Sequence, residues 1–100
     1  MSVEQPDPII HQPVRLKLMA ALKVLPPDEA IEFVRLKTIV KATEGNLGAH
    51  ITTLEEAGYA KTEKDFVAKR PRTRVMLTNA GRRAFEAYVT YLRDIIGTTE

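Results

Sequence analysis

The segment Lys69-Arg70-Pro71-Arg72-Thr73-Arg74 places four basic side chains within six residues, in a chain of 100 residues whose net charge is only +2. From Lys61 to Arg74 there are six basic residues and two acidic ones, whereas Asp28 to Glu32 carries three acids and no base. Cations gathered in this way suit a polyanion, because phosphate contacts supply affinity without carrying sequence information. A second group lies upstream. Asn46, His50 and Thr53, at helical spacing, present hydrogen-bonding groups suited to base edges, and small Gly48 and Ala49 beside them allow close approach to a duplex. Together the two groups fit double-stranded DNA. Each also has a plainer reading, as a solvated basic turn and a polar helix face, and neither decides the matter alone.

Other chemistries find little support. The chain has no cysteine, which excludes disulfides and thiolate metal sites. His50 and His11, the two histidines, are far apart in sequence, so no metal is expected. Ser2 is the single serine, and no glycine-rich phosphate loop or cluster of histidine and carboxylate is present. Neither an enzyme nor a cofactor is expected. The start Met1-Ser2-Val3-Glu4-Gln5-Pro6-Asp7-Pro8 lacks the basic and apolar regions of a signal peptide. No apolar run reaches the roughly 20 residues that span a bilayer, and a cytoplasmic location is the expectation.

The elements that must position these residues follow from periodicity and punctuation. Residues 1–12 read as a flexible N-terminal arm, and 13–97 as one domain. Pro13 opens a helix whose Val14, Leu18, Ala21, Leu22 and Leu25 recur at helical spacing, and Pro26-Pro27 ends it. From Asp28 to Ala42 periodicity allows either one helix or a short strand near Glu32-Phe33 followed by a helix. Thr43 is an N-cap for the next helix, about 44–57, where Leu47, Ile51 and Leu54 form a buried stripe before Gly58 terminates it. Tyr59–Glu63 and Thr73–Leu77 have strand composition and predict an antiparallel hairpin. Its long connection, Lys64 to Arg72, is expected to project as a mobile basic tip. Thr78 caps a last helix, with Ala84, Phe85, Tyr88, Leu92, Ile95 and Ile96 as its apolar stripe.

The strings Gly45-Asn46-Leu47-Gly48-Ala49-His50-Ile51 and Leu54-Glu55-Glu56-Ala57-Gly58-Tyr59, followed by Lys69-Arg70-Pro71-Arg72-Thr73 and Leu77-Thr78-Asn79-Ala80-Gly81-Arg82, carry a resemblance. Over Pro13 to Ile96 the chain resembles small winged-helix transcriptional regulators of the MarR and ArsR groups. The resemblance implies an α+β, mostly α, winged helix-turn-helix, with a two- to three-stranded antiparallel wing and amphipathic terminal helices. It also favours the short strand near Phe33, which pairs with the wing in that fold. It implies a homodimer that binds double-stranded DNA, with helix 44–57 in the major groove and the wing, about 64–74, on flanking backbone or minor groove.

On this reading the DNA-contacting residues are Thr43, Gly45, Asn46, Gly48, Ala49, His50, Thr53, Lys69, Arg70, Arg72 and Arg74. Val14, Leu18, Phe85, Tyr88, Leu92 and Ile95 form the dimer interface, shared with ordinary core packing. The regulator is expected to be a repressor that occludes a promoter. A small-molecule effector is possible but unsupported, because the chain lacks the metal-binding cysteines of the ArsR group and 100 residues leave little room for the extra helices that enclose a pocket in the MarR group. Two other readings stay open: an adaptor that binds protein, and a non-specific architectural DNA binder.

Overall fold

A computed structural model describes residues 6–97. Helix α1, Pro13–Lys23, starts with proline in its first turn, and the Gln12 side chain accepts the Arg15 amide at 2.8 Å to cap it. The two-residue strand β1, Ile31–Glu32, leads directly into α2, Phe33–Val40, so Phe33 opens the helix and does not belong to the short strand expected near Glu32-Phe33. Lys41 leaves α2 in the left-handed conformation, with φ of 57°. Helix α3, Glu44–Glu56, is capped by Thr43, whose hydroxyl accepts the Asn46 amide at 3.2 Å. Strands β2, Ala60–Val67, and β3, Arg70–Leu77, form a hairpin, and α4, Asn79–Ile95, follows from the Thr78 cap. The sheet is antiparallel in the order β1-β3-β2. This is the expected winged helix-turn-helix.

Leu47, Ile51 and Leu54 drive one side of α3 into a core shared with Leu18, Met19 and Leu22 of α1, Leu36 and Val40 of α2, and Val75 and Leu77 of β3. Each fully buried aliphatic side chain contributes roughly 1.5–3 kcal/mol, so three of them hold α3 firmly and turn its opposite face outward. Arg82 ties the end of α1 to α4, donating from Nη2 to the Leu25 carbonyl at 2.7 Å.

Four expectations need correction. The connection from Lys64 to Arg72 is not a long loop. Both strands continue to a two-residue turn, Ala68-Lys69, with φ of 52° and 65°. Two successive left-handed residues match the type I′ turn whose twist suits a hairpin. Arg72 and Arg74, expected to face phosphates, are instead paired with carboxylates across the hairpin. Leu18 and Tyr88, expected to serve both core and dimer seam, are 0% and 4% exposed and belong to this chain's own core, with little surface left for a seam. Finally, residues 6–12 pack on the domain rather than project as an arm. Ile10 is fully buried, Tyr59 donates its hydroxyl proton to Asp7 Oδ2 at 2.6 Å, and His11 Nδ1 lies 2.7 Å from the Tyr88 hydroxyl. Residues 1–5 of the expected arm lie outside the described residues.

Asp7 also sets an alkaline limit on the fold. Its hydrogen bond, then burial, then its charge push the Tyr59 hydroxyl up to about 12. A raised folded value means that the stabilisation is complete below the unfolded value near 10 and is lost as pH climbs towards 12. Discounted for solvent screening, it is on the order of 1 kcal/mol. Denaturant unfolding of Tyr59→Phe should therefore show a weaker fall in stability between pH 9.5 and 11.5 than the parent protein.

Candidate nucleic-acid interface

With Leu47, Ile51 and Leu54 buried, the outward side of α3 is occupied by Gly45, Asn46, Ala49, Thr52 and Glu56, all exposed. His50, Thr53 and Gly48 flank it, half-buried. This face is centred about one residue away from Asn46, Ala49, His50 and Thr53, the residues expected from the sequence, and it includes Thr52, which is not among them. Counting from the buried stripe would have found it, since 45, 49, 52 and 56 fall at i, i+4, i+7 and i+11 opposite 47, 51 and 54. Thr43 and Thr53 have partly spent their hydroxyls. The first caps α3, and the second donates to the Ala49 carbonyl at 3.2 Å.

The two glycines of α3 have no internal reason to be glycine. A methyl group built on Gly45 or Gly48 would meet nothing within 4 Å. Glycine in the middle of a helix, as Gly48 is, costs roughly 0.5–1 kcal/mol relative to alanine, and no contact among the described residues returns that cost. Glycine at these positions suits a surface that another molecule approaches closely.

His50 is held from behind. Arg15 Nη1 donates to His50 Nδ1 at 3.1 Å, while Arg15 Nε donates to the Ile9 carbonyl. A guanidinium only donates, so Nδ1 must accept and the ring proton sits on Nε2. Burial, and secondly the Arg15 charge, lower the imidazole from its ordinary value, which favours this neutral form. Nε2 makes no hydrogen bond among the described residues and reaches solvent, so His50 offers a donor at the edge of the α3 face. A depressed folded value means that the stabilisation is full above about pH 6.5 and is lost as pH falls below it. Replacing His50 with glutamine should flatten the decline in Tm between pH 7 and 5.

The hairpin sorts its charges by face. Residues opposite one another share a face, so Glu63 and Arg74, Asp65 and Arg72, and Val67 and Arg70 lie on one side. Arg72 binds Asp65 with both prongs, Nε to Oδ1 at 2.9 Å and Nη2 to Oδ2 at 2.7 Å, and Glu32 lies 3.8 Å from Nη1. The Arg72 hydrogen bonds hold the Asp65 carboxyl below the usual carboxylate range. Arg74 bonds Glu63 at 3.0 Å. These two arginines stiffen the wing. Lys69 and Arg70, at the tip, are exposed and have no acidic partner among the described residues. A cleft of about 710 Å³ separates the tip from the starts of α2 and α3, with Phe33, Glu44 and Pro71 among its walls.

Pro71 sits where it does no harm. In a two-residue hairpin Val67 and Arg70 form the hydrogen-bonded pair next to the turn, so the alternate residues 71, 73 and 75 direct their backbone groups away from β2. Beyond the two residues of β1 that edge is open, and the missing N–H removes a donor that nothing in the sheet uses.

A small helix face free of basic side chains, a stiff hairpin and two unpaired cations at its tip have the shape of a DNA-reading module, and comparison with known proteins agrees. The model of the winged helix DNA-binding domain family matches residues 14–96. The chain belongs to this family. An uncharacterised protein of Methanocaldococcus jannaschii is 40% identical to it over 81 residues, which are 81% of this chain and 85% of that one. The structure of a transcriptional regulator homologue from Pyrococcus horikoshii superposes with a TM-score of 0.79 at 34% identity, covering 90% of this chain and 86% of that one. A MarR family transcriptional regulator from Silicibacter pomeroyi shares the fold, with a TM-score of 0.68 at 19% identity, over 90% of this chain and 57% of the longer regulator. As a winged helix DNA-binding domain the chain needs no catalytic centre. Among the described residues no group of three or more histidine or carboxylate side chains is placed to hold a metal, and no helix is long and apolar enough to cross a membrane.

Proposed function

We propose that this winged helix domain is a homodimeric, sequence-specific DNA-binding repressor of transcription that works in the cytoplasm. Helix α3 reads base edges in the major groove, and the wing holds flanking backbone or minor groove. The observation that carries this reading is the outward side of α3. It is small, largely uncharged, and built on two glycines that the chain's own packing does not require. Asn46 has the geometry for paired hydrogen bonds to adenine, and the His50 Nε2–H suits an acceptor such as guanine N7 or a phosphate oxygen. The relative from Pyrococcus horikoshii is described as a transcriptional regulator homologue, which supports the regulatory half of the proposal.

The dimer rests on the end of α4. Ile95 is 59% exposed and Ile96 is 73% exposed, and Val14, Phe85 and Leu92 nearby are only partly covered. A second copy set about a two-fold axis would cover them and space two α3 helices for a palindromic operator, one helical turn apart. Replacing Ile95 and Ile96 with glutamate should give a monomer in sedimentation.

The two kinds of contact separate by mutation. Asn46→Ala should cost roughly 1–3 kcal/mol of binding and relax preference at one or two base pairs. Arg70→Ala should weaken all duplexes alike and lower the salt slope by about 1. Arg72→Ala should loosen the wing, because its guanidinium is occupied by Asp65, and should leave the salt slope nearer that of the parent. Selected-site and random duplexes titrated at several salt concentrations check all three. An Asn46→Ala protein with unaltered preference would remove α3 from the reading position.

A further inference from the structure

The largest exposed apolar side chain of the wing, Phe66, packs against no part of the domain core. Phe66, one pair back from the turn in β2, is 73% exposed and pairs across the hairpin with exposed Pro71. It shares its face with Ala60, Thr62 and Lys64, and opposite them with Leu77, Val75 and Thr73. At the base that face belongs to the α3 side of the molecule. Ala60, Val75 and Leu77 enter the core, and Thr62 donates its hydroxyl proton to Glu55 of α3 at 2.9 Å. Further out the same face carries Lys64, then Phe66 and Pro71, and no acid. The carboxylates of the hairpin, Glu63 and Asp65, are both on the other face. The side of the wing that shares its direction with α3 is therefore apolar and cationic, with Lys69 in the turn at its end.

We propose that Phe66, backed by Pro71, is a wedge that enters the minor groove beside the α3 site and opens a base step, so that this domain bends the DNA it binds. The proposal rests on the reading of α3 as the major-groove helix and adds to it. The reach is right. Phe66 lies six residues beyond Ala60, roughly 20 Å at 3.3 Å per residue, and the minor groove next to an occupied major groove is about half a helical turn away, roughly 17 Å. An exposed phenyl ring is unfavourable in water and becomes favourable between unstacked bases, which is how apolar wedges kink duplexes. The two-residue turn and the Arg72–Asp65 fork give the strut the stiffness that a wedge needs. Pyrimidine–purine steps open most readily, so the wedge confers preference at positions with no base-edge hydrogen bond.

The test compares the full chain with Phe66→Ala and Phe66→Leu on a selected duplex carrying end-to-end fluorophores and 2-aminopurine at flanking steps. Phe66 is exposed, so folding is not at risk. The parent should shorten the end-to-end distance and brighten 2-aminopurine at a flanking step. Phe66→Ala should still bind with α3-dependent preference, lose both signals, and lose roughly tenfold in its preference for a TA step over an A-tract. Phe66→Leu should keep part of both signals. A parent that binds its site without bending it, or a Phe66→Ala protein that bends it equally, overturns the wedge and leaves the α3 reading standing. A parent that binds no duplex overturns both. If Phe66→Ala instead dissociates the dimer in sedimentation, the side chain covers a second copy and the wedge is wrong.

Discussion

Gly81→Ala is expected to be the most damaging small substitution in this chain. A Cβ at Gly81 would collide with the Tyr59 carbonyl oxygen and stand 2.9 Å from its carbon, contacts with backbone that no rotamer change relieves. The approach is this close because two hydrogen bonds clamp the Thr78 cap of α4 to Gly58 and Tyr59, just before β2, and a third ties that cap to the first turn of the helix. The Thr78 amide donates to the Tyr59 carbonyl at 3.0 Å, the Thr78 hydroxyl to the Gly58 carbonyl at 2.6 Å, and the Gly81 amide to the Thr78 hydroxyl at 2.9 Å. Making room for a methyl group means breaking part of the clamp or sliding α4 along the core. The cost is on the order of 3 kcal/mol, which for a domain of this size lowers Tm by roughly 12–24 °C. Gly48→Ala provides the contrast. With nothing within 4 Å of its added methyl, it should raise stability by roughly 0.5–1 kcal/mol while weakening DNA binding. Thermal unfolding of the two variants side by side checks both signs. A Gly81→Ala protein as stable as the parent would mean that the clamp is loose in solution.

Ala49→Glu is expected to have the largest effect on binding. Ala49 is exposed at the middle of the outward side of α3, between Gly45 and Thr52 along the helix. Glutamate is a good helix former, so the fold should survive with an unchanged Tm. A carboxylate there would face phosphates and electronegative base edges with no cation to meet it, and like charge at an interface costs several kcal/mol. Affinity should fall about a hundredfold or more, for selected and random duplexes alike. Titration by fluorescence anisotropy, with circular dichroism to confirm folding, reads the result. Unchanged affinity would show that the DNA lies elsewhere.

These expectations depend on which parts of the molecule were legible in the sequence. Helix starts were legible because their chemistry is local. Pro13, Thr43 and Thr78 announce α1, α3 and α4, and Gly58, with φ of 82°, marks the end of α3 as expected. The short strand β1 was not legible from periodicity, since two residues have no period, and it came from resemblance alone. The wing turn was hidden for a different reason. Type I′ turns are usually written Asn-Gly or Asp-Gly, but here Ala68-Lys69 adopts the two left-handed conformations, and placing a lysine at the apex costs of order 1–2 kcal/mol per residue.

Once the turn was missed, the partners of Arg72 and Arg74 were missed with it. Glu63 and Asp65 fall opposite them only when residues 68 and 69 are the apex. The matching charges on either side of that point were the available signal. The packing of residues 6–12 had a signal too. Ile9-Ile10, an apolar pair between Pro8 and His11, is unusual in a solvated arm, and Ile10 is fully buried. The offset on α3 came from reading the polar face by residue type instead of by angle from the buried stripe.

If α3 reads base edges, the domain recognises a particular duplex beyond the attraction of a basic wing for phosphate. One titration addresses it: fluorescence anisotropy with duplex from the region upstream of the protein's own coding sequence and with a scrambled duplex of equal composition, each at about 50 and 200 mM salt. A preference of at least about a thousandfold for the upstream duplex is expected, persisting at the higher salt while the scrambled duplex is released. Equal affinity for both duplexes, collapsing together as salt rises, would contradict it and leave a non-specific phosphate binder.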